Sequence, residues 1–360
     1  MAAISRGRLS LSLPFYSRSF CAVASKPNSR SPQTGIPIII PPHVIKKANI
    51  VHPKSRAVHP LLKHQWLTKT VFEKGLPFSS EENQEQTQLA PEVAQLINER
   101  FGGSLAQTLG FQKPPNKTKK RFEEEIRYGI FQDLVRLCSG NLTDTFVDVC
   151  PKVLTHWVRK HEFYQLEFYP DVILRSGTEW DAYLEDFQNT EEMTLPGPYD
   201  PYSMEVYKQP IVHLKNFPGF HAASSNPFPH NHTMFLANAF GQRLDQTHAF
   251  GIMSMFGVLA STAMSRGVKP GEHLSEPVCT QCVITDGRQL VLMCYQLNTM
   301  SLQEDHGVKN LAWGTDYMDL FKDNASEKGH TGLFGSLNID QEIPSVNEDS
   351  VRRLLFFLCC

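Results

Sequence analysis

The sequence predicts an α+β protein, a mixed α/β body in which helices flank a central β-sheet, preceded by an extended basic N-terminal arm. Three observations favour this class. Apolar residues repeat at helical spacing between about 91 and 160, β-branched and aromatic runs bounded by turn residues follow, and prolines crowd the segment before residue 60. With 360 residues and 41% apolar content, the chain can bury one large core or two ordinary ones.

Charge is sorted along the chain. Residues 1–72 contain 11 Lys and Arg and no acid, whereas residues 73–360 contain the other 24 of the 35 basic residues and all 37 acidic ones. The body therefore carries a balance of −13 (24 minus 37), which the overall net charge of −2 conceals. Because affinity for phosphate follows local cation density, we expect the arm to meet a polyanion and the acidic body to meet other proteins.

The first twenty residues have the composition of a mitochondrial presequence. The stretch "MAAISRGRLSLSLPFYSRSF" mixes Arg6, Arg8 and Arg18 with serines and leucines, contains no acid, and lacks the unbroken apolar run of a secretory signal. A disordered basic tail is the alternative. We predict residues 1–20 as a presequence and the mitochondrial matrix as the location, where a reducing environment disfavours structural disulfides among the eight cysteines.

Residues 21–72 are predicted to form the extended basic arm, because prolines recur too often there for a helix. Its cations lie among aliphatic residues, so the arm can bury apolar side chains while it offers charge to phosphates. An ordinary docked arm with solvated lysines is the alternative, since nothing in the segment reads bases. The candidate RNA contacts are Lys46, Lys47, Lys54, Arg56, Lys63 and Lys69.

Residues 73–360 are predicted as one body in three parts. A helical part spans about 91–160, and a sheet with a core helix spans about 161–315, with "HEFYQLEFYPDVILRSG" as a strand pair or one bent strand and further strands at Pro210–Leu214 and Thr233–Ala237. Residues 316–360 form a polar excursion and a short apolar helix. The apolar stripes assigned to helices in the first part include Phe122, Ile126, Ile130, Leu134 and Leu137, and then Phe146, Val149, Val153 and Trp157.

A run of twenty residues between Asp245 and Arg266 contains no formal charge. Its length alone would permit a membrane span, but Gln246, Thr247, His248 and several serines dilute its apolar content. A helix that is apolar or small on most of its circumference belongs in a protein interior. We therefore predict the central core helix here and no membrane span.

The stretch "PVCTQCVITDGRQLVLMCYQLNT" contains a CxxC spacing and predicts a β-hairpin with Asp286 and Gly287 as a two-residue turn. In that register Cys279 faces Cys294. Because side chains alternate along a strand, Cys279 and Cys282 point to opposite faces and cannot chelate one ion. We predict core cysteines, and a central second strand that has the core helix at its back.

Other chemistry is sparse. The sequence has no phosphate-cradling Gly-rich loop, dinucleotide fingerprint or Gly-flanked nucleophile serine. His230 and His232 alternate, so on a strand both would share a face, and His221 could complete a metal site; a matrix metal-dependent hydrolase that uses these three histidines, with Asp286 as a further candidate, is the alternative function. Two histidines without a nearby Cys or carboxylate make a poor ligand set, so we predict no enzyme, no metal, no cofactor and no catalytic residue.

Two stretches resemble the family of mitochondrial ribosomal large-subunit protein thirty-seven of animals. They are "HQWLTKTVFEKGLP" and, more specifically, "TDGRQLVLMCYQLNTMSLQEDHGVKNLAW"; "PFPHNHTMFL", the core helix and the C-terminal helix follow more loosely. The resemblance implies a non-catalytic structural component of the mitochondrial large ribosomal subunit, which supports mitochondrial translation beside a homologous subunit and touches ribosomal RNA. This chain is shorter than the family pattern ahead of Trp66 and through its middle, and the family has no catalytic residues to carry over.

Two tryptophans are candidate interface residues. Trp66 lies among the cations of the arm, and Trp313 ends "GVKNLAW", where it follows an acidic spacer. A Trp in such a segment is more often a core or interface anchor than a platform for a ligand. We therefore expect Trp313 to pack where the sheet meets its neighbours.

Overall fold

A computed structural model describes residues 46–78, 119–142, 144–199, 203, 206–211, 214–220, 226–239, 241–321 and 346–359. The predicted presequence, the arm before residue 46, the helical stripe expected after residue 91 and most of the polar excursion after residue 321 lie outside these residues.

The described residues form four α-helices, one 3-10 helix and twelve strands. The helices are α1 (Pro60–Thr68), α2 (Lys119–Asn141), α3 (Leu244–Ser265) and α4 (Glu348–Cys359), and the 3-10 helix is Phe187–Glu192. The strands are β1 (Lys46–Val51), β2 (Thr70–Lys74), β3 (Thr145–Val149), β4 (Val153–Arg159), β5 (Glu162–Phe168), β6 (Val172–Ser176), β7 (Tyr207–Ile211), β8 (His230–Ala237), β9 (His273–Thr285), β10 (Gln289–Thr299), β11 (Asn310–Gly314) and β12 (Met318–Asp319).

The strands make two sheets. The smaller sheet has the order β4-β5-β1-β7, and the larger has the order β2-β11-β10-β9-β8-β6-β3, with β12 added beside β10. Both are mixed, because β1 runs parallel to β5 and β8 runs parallel to β9 while most other neighbours are antiparallel. The α+β class with helices around a central sheet is confirmed, and the sequence missed the second sheet.

Helix α3 lies between the two sheets. One core cluster joins Phe256 of α3 to Trp157 and Leu166 of the smaller sheet and to Met293 of the larger one. The opposite face of the larger sheet packs in a second cluster, with residues such as Leu134 of α2 and Leu354 of α4. The apolar window of α3 is long enough for a membrane span, but 94% of it is buried inside the protein, so the predicted core helix is confirmed.

Two glycines let α3 approach both sheets. A Cβ on Gly251 would clash with the sulfur of Met293 in β10, whereas a Cβ on Gly257 would lie 2.5 Å from Cδ2 of Leu166 and 3.0 Å from Cε1 of Phe168, both in β5. Interiors are close-packed, so neither methyl has free space. The two sheets can therefore pack this closely on α3 because Gly251 and Gly257 have no side chain.

Residues 46–72, the part of the arm that the structure describes, pack as part of the body. β1 pairs with β5 on one side and β7 on the other, β2 pairs in parallel with β11, and α1 packs against α3. The prediction of an extended arm is therefore wrong for residues 60–68, which form α1. Pro60 occupies the first turn of that helix, where the missing N–H costs no hydrogen bond.

The helical prediction is confirmed for one stripe and wrong for the next. Ile130, Leu134 and Leu137 lie buried on α2, but the stripe from Phe146 to Trp157 forms the strands β3 and β4. In β4 the first three residues are all buried, so the alternation that marks a strand is absent. The sequence from His161 to Gly177 forms two strands, β5 and β6, but they join different sheets and do not pair with each other.

Two other strand predictions fare differently. β8 contains all of the predicted Thr233–Ala237, which is confirmed. β7 begins at Tyr207 and ends at Ile211, so the predicted Pro210–Leu214 was placed too late in the chain. Strand boundaries at edges are weakly specified because only one side of the strand is paired.

The β9–β10 hairpin is confirmed, but its register is not the predicted one. Thr285 pairs with Leu290 instead of Arg288, so the register is shifted by two residues and Cys279 faces Gln296 instead of Cys294. The carboxylate of Asp286 accepts hydrogen bonds from the backbone N–H of Arg288 at 2.9 Å and of Gln289 at 2.8 Å. The Asp286 side chain thus binds backbone donors of the turn that the predicted ladder would have used, which favours the shifted register.

We predict that Gly257→Ala destabilises the protein by about 1–3 kcal/mol through overpacking, although alanine gains about 1 kcal/mol of helix propensity. In a Leu166→Ala background the same change should be neutral or stabilising, because the cavity there accepts the new methyl. Urea unfolding of the four proteins of this double-mutant cycle measures the effect. An equal cost in both backgrounds would contradict the proposed contact.

Candidate interaction surfaces

Three of the arm cations within the described residues are exposed. Lys47 lies on β1, and Lys54 and Arg56 lie in the loop that follows it. The Lys54 ammonium donates to the carbonyl of Ala237 at 3.1 Å and lies 4.8 Å from the ring centroid of Phe250, and partial burial lowers its pKa. Lys54 is therefore held at the end of β8. Arg56 lies two residues further along the same loop and is exposed.

The other arm lysines differ. Lys46 begins β1, whereas Lys63 and Lys69 are buried at 9% and 2% exposure. The ammonium of Lys63 donates to the carbonyl of Ser203, and that of Lys69 donates to the carbonyl of Ser301 at 3.0 Å. Burial, with the nearby cations Arg159 and Lys309, lowers the pKa of Lys69 to about 8. These contacts favour a role inside the body for Lys63 and Lys69 over phosphate binding.

Both candidate tryptophans are buried within the chain. Trp66 is 3% exposed, and the guanidinium of Arg159 lies 4.5 Å from its ring centroid. Trp313 is 7% exposed; its indole N–H donates to the carboxylate of Glu73 at 3.0 Å, and its ring meets that of Tyr183 at 5.9 Å. Each indole therefore anchors separate segments of this chain to one another.

The loop between β10 and β11, residues 300–309, is held by buried cations. Arg159 has no exposed side-chain surface, and it donates to the carbonyls of Trp66 at 2.8 Å and Leu302 at 2.7 Å and to the carboxylate of Asp305. Lys160 reaches the same carboxylate at 2.6 Å. Charge-assisted hydrogen bonds of this kind fix the loop to β4 and α1.

The other end of this loop is tied to the 3-10 helix. The Lys309 ammonium donates to the carbonyls of Thr190 at 3.1 Å, Glu191 at 2.8 Å and Gly307 at 3.0 Å. Glu304 and His306 remain exposed at the tip. Lys309 and Arg159 thus donate to backbone carbonyls of this chain and hold both ends of the loop. The tip of the loop is therefore rigid and exposed to solvent. Sequence reasoning missed Arg159, because its partners are far from it along the chain.

The histidine cluster does not assemble as predicted. His232 is an extra residue in β8, a β-bulge, because Leu174 pairs with Thr233 while the next residue, Arg175, pairs with Asn231. As a result Asn231 bonds to Thr262 of α3, and Thr233 bonds to Gln281. The prediction of simple alternation through this segment is therefore wrong.

The rings of the two described histidines have separate partners. His230 lies 2.9 Å from the guanidinium of Arg266 and 3.5 Å from the carboxylate of Glu179. His232 bonds to the hydroxyl of Thr233 and lies 4.6 Å from the ring of Trp180, and burial lowers its pKa to about 4. His221 lies outside the described residues, within which no three His, Cys, Asp or Glu side chains are grouped to hold a metal. The hydrolase alternative has no support.

The two cysteines of the CxxC spacing point to opposite faces of the larger sheet, as predicted. Cys282 joins the core cluster that contains α3, whereas the Cys279 thiol lies 3.8 Å from the side-chain oxygen of Gln296 on the other face. Burial raises the pKa of Cys279 to about 12 and that of Cys282 well above its ordinary value. Both are protonated packing residues at neutral pH.

We predict that Arg159→Met costs about 1–3 kcal/mol of stability, because it removes the Arg159 donor from the buried carbonyl of Leu302 and leaves that of Trp66 with only the Lys69 N–H. Amide hydrogen exchange in residues 301–309 should accelerate with it. The matched control is Lys152→Met, which removes an exposed ion pair with Glu167 and should cost less than about 1 kcal/mol. Unchanged exchange in the loop would refute the anchoring role of Arg159.

Comparison with known protein families finds one family model in the last third of the chain. Residues 232–359 match the family described as mitochondrial 28S ribosomal protein S30 (PDCD9). This match begins in β8 and includes α3, β9, β10, β11 and α4. It therefore covers the central layers of the fold.

Curated relatives extend the similarity over most of the chain. The chicken (Gallus gallus) protein named large ribosomal subunit protein mL37 is 25% identical over 292 residues, 76% of this chain and 65% of its own length. The mouse (Mus musculus) mL37 is 25% identical over 73% of this chain and 64% of its own length, and the bovine (Bos taurus) mL37 is 40% identical over 24% of this chain and 22% of its own length. The match to the first two thus spans less than two thirds of their length. The resemblance drawn from the sequence is confirmed: this chain is similar to the proteins named large ribosomal subunit protein mL37.

Proposed function

We propose that this protein is a non-catalytic structural component of the mitochondrial large ribosomal subunit, which supports mitochondrial translation by binding neighbouring ribosomal proteins and ribosomal RNA in the matrix. The similarity to mL37 proteins over 76% of the chain carries the proposal. The family model bears the name of a 28S protein, but it matches only residues 232–359. The longer matches bear large-subunit names and therefore favour the large subunit.

The RNA contact is assigned to the arm. Residues 1–72, the presequence and the arm together, contain 11 cations and no acid, so no acidic side chain within the segment neutralises them. Of the six candidate residues, Lys47, Lys54 and Arg56 are exposed. These three are proposed to meet phosphates, because contacts to the backbone need cations but no base-reading geometry.

The protein contacts are assigned to the acidic body. Its balance of −13 repels RNA phosphates and favours basic protein surfaces. The rigid tip at Glu304 suits such a contact, since a preorganised loop loses little entropy on binding. The homologous subunit of the same particle is the first candidate partner.

The association with the particle is testable by sedimentation. Lysate of mitochondria that contain the full-length protein is separated on a sucrose gradient, and the protein is expected to comigrate with the large subunit, also after magnesium removal separates the subunits. Recovery only in the soluble fractions, or with the small subunit, would overturn the proposal.

We predict that the triple variant Lys47→Ala, Lys54→Ala, Arg56→Ala weakens binding of purified protein to large-subunit ribosomal RNA. Loss of three phosphate contacts should lower the slope of log K against log salt by about 2–3. The matched control, Lys152→Ala, Lys208→Ala, Lys269→Ala, removes three exposed cations of the body and should leave the slope unchanged. Equal loss in both variants would contradict a specific role of the arm.

A further inference from the structure

The strand β3 forms one edge of the larger sheet. It pairs with β6 on one side, and among the described residues no strand pairs with its other side. Half of the backbone N–H and C=O groups of such a strand point away from its one partner. These groups form a row of hydrogen-bonding sites that an extended chain can fill.

The side chains of β3 are apolar and exposed. Val147 is 38% exposed and Val149 is 63% exposed, although both lie beside strand β6 on the face that α2 covers further along the sheet. Phe146 on the opposite face is 52% exposed and stacks on Phe228. Three of the eight large apolar residues that are strongly exposed in the described chain therefore lie on this five-residue strand.

The polar residue at the centre of β3, Asp148, does not protect the edge. Asp148 turns towards the sheet and bonds to the buried guanidinium of Arg175 at 2.8 Å. Natural edge strands usually avoid pairing by means of an exposed or inward-pointing charge, a proline, a bulge or a covering segment. Among the described residues of β3, Asp148 is the one inward-pointing charge, and its ion pair with Arg175 neutralises it.

The other sheet edges of the described chain each carry such a device. β2 ends in the exposed Glu73 and Lys74, β7 contains Pro210, and Phe217 covers β4 through two backbone hydrogen bonds with Leu154. The lack of protection is therefore confined to β3. A sheet edge that lacks protection and exposes apolar side chains is a site where the strand of another molecule can add to the sheet.

We propose that β3 is the docking edge for an extended strand of a neighbouring protein of the particle, which lengthens the larger sheet by one strand. The inference rests on the proposed function, which places the chain among other ribosomal proteins. The occupant is an extended segment with apolar side chains at alternate positions, which cover Val147 and Val149. Its net charge is positive, because the body carries −13.

Backbone pairing is tested by hydrogen exchange of residues 145–149. Amides that point outward should exchange at least tenfold more slowly in the assembled large subunit than in the free full-length protein, since pairing with a strand protects them. Equal protection in the two states would overturn the proposal and assign the edge to another part of this chain. Protection that rises with the concentration of the purified protein would also overturn it, because the occupant would then be a second copy.

The partner is identified by a photo-crosslinker at residue 147 in assembled particles. The crosslinked peptide is expected to come from a different protein and to contain alternating apolar residues; a crosslink to this chain or to RNA would refute the proposal.

The variant Val147→Lys, Val149→Lys separates this inference from the proposed function. It should lower incorporation into the large subunit at least tenfold without a change in the denaturation midpoint, whereas the control Tyr128→Lys, Tyr207→Lys, which alters exposed apolar residues elsewhere on the body, should incorporate normally. If the wild-type protein sediments with the particle and the β3 variant does so equally well, only the docking edge is refuted. If the wild type itself does not sediment there, the proposed function fails.

Discussion

The burial of one uncharged helix between two sheets is the constraint on which the rest of the fold depends. Helix α3 can contact both sheets because its glycines admit Met293 on one side and Leu166 on the other. Its polar residues connect the same layers: His248 bonds to the carbonyl of Thr315, and Thr262 bonds to Asn231. Two of the residues that lower the hydropathy of this helix, His248 and Thr262, therefore help to fix its position, because burying a polar group costs least when it is hydrogen-bonded.

The basic segment before residue 75 joins the layers around this helix. β1 completes the smaller sheet, α1 packs on α3, and β2 extends the larger sheet. Two cations of this segment, Lys63 and Lys69, hold these elements together, because they donate to carbonyls inside the body. The charge of a segment thus overstates what it can offer to a polyanion, and only the exposed cations remain available for phosphate. Anchored in this way, those cations have a fixed position relative to the acidic body.

The sequence predicts what depends on local pattern and misses what depends on distant partners. The uncharged run of α3 and the alternation of β9 and β10 identify their elements, and the divergence of Cys279 and Cys282 follows from strand geometry alone. The hairpin register fails because the Asp286 side chain binds two backbone donors, and β4 is taken for a helix because burial on both faces hides its period. The bulge at His232 and the contacts of Arg159 are set by neighbours that lie tens of residues away.

The family match divides the chain in a way that bears on function. Residues 232–359 contain the helix α3 and the strands packed on it, the part of the fold that matches a mitochondrial ribosomal family. All four strands of the smaller sheet, the exposed arm cations and the edge strand β3 lie before residue 232. The layers packed around α3 are buried, so contacts to other molecules must come from the margins of this core. The exposed arm cations and the edge of β3 lie at such margins.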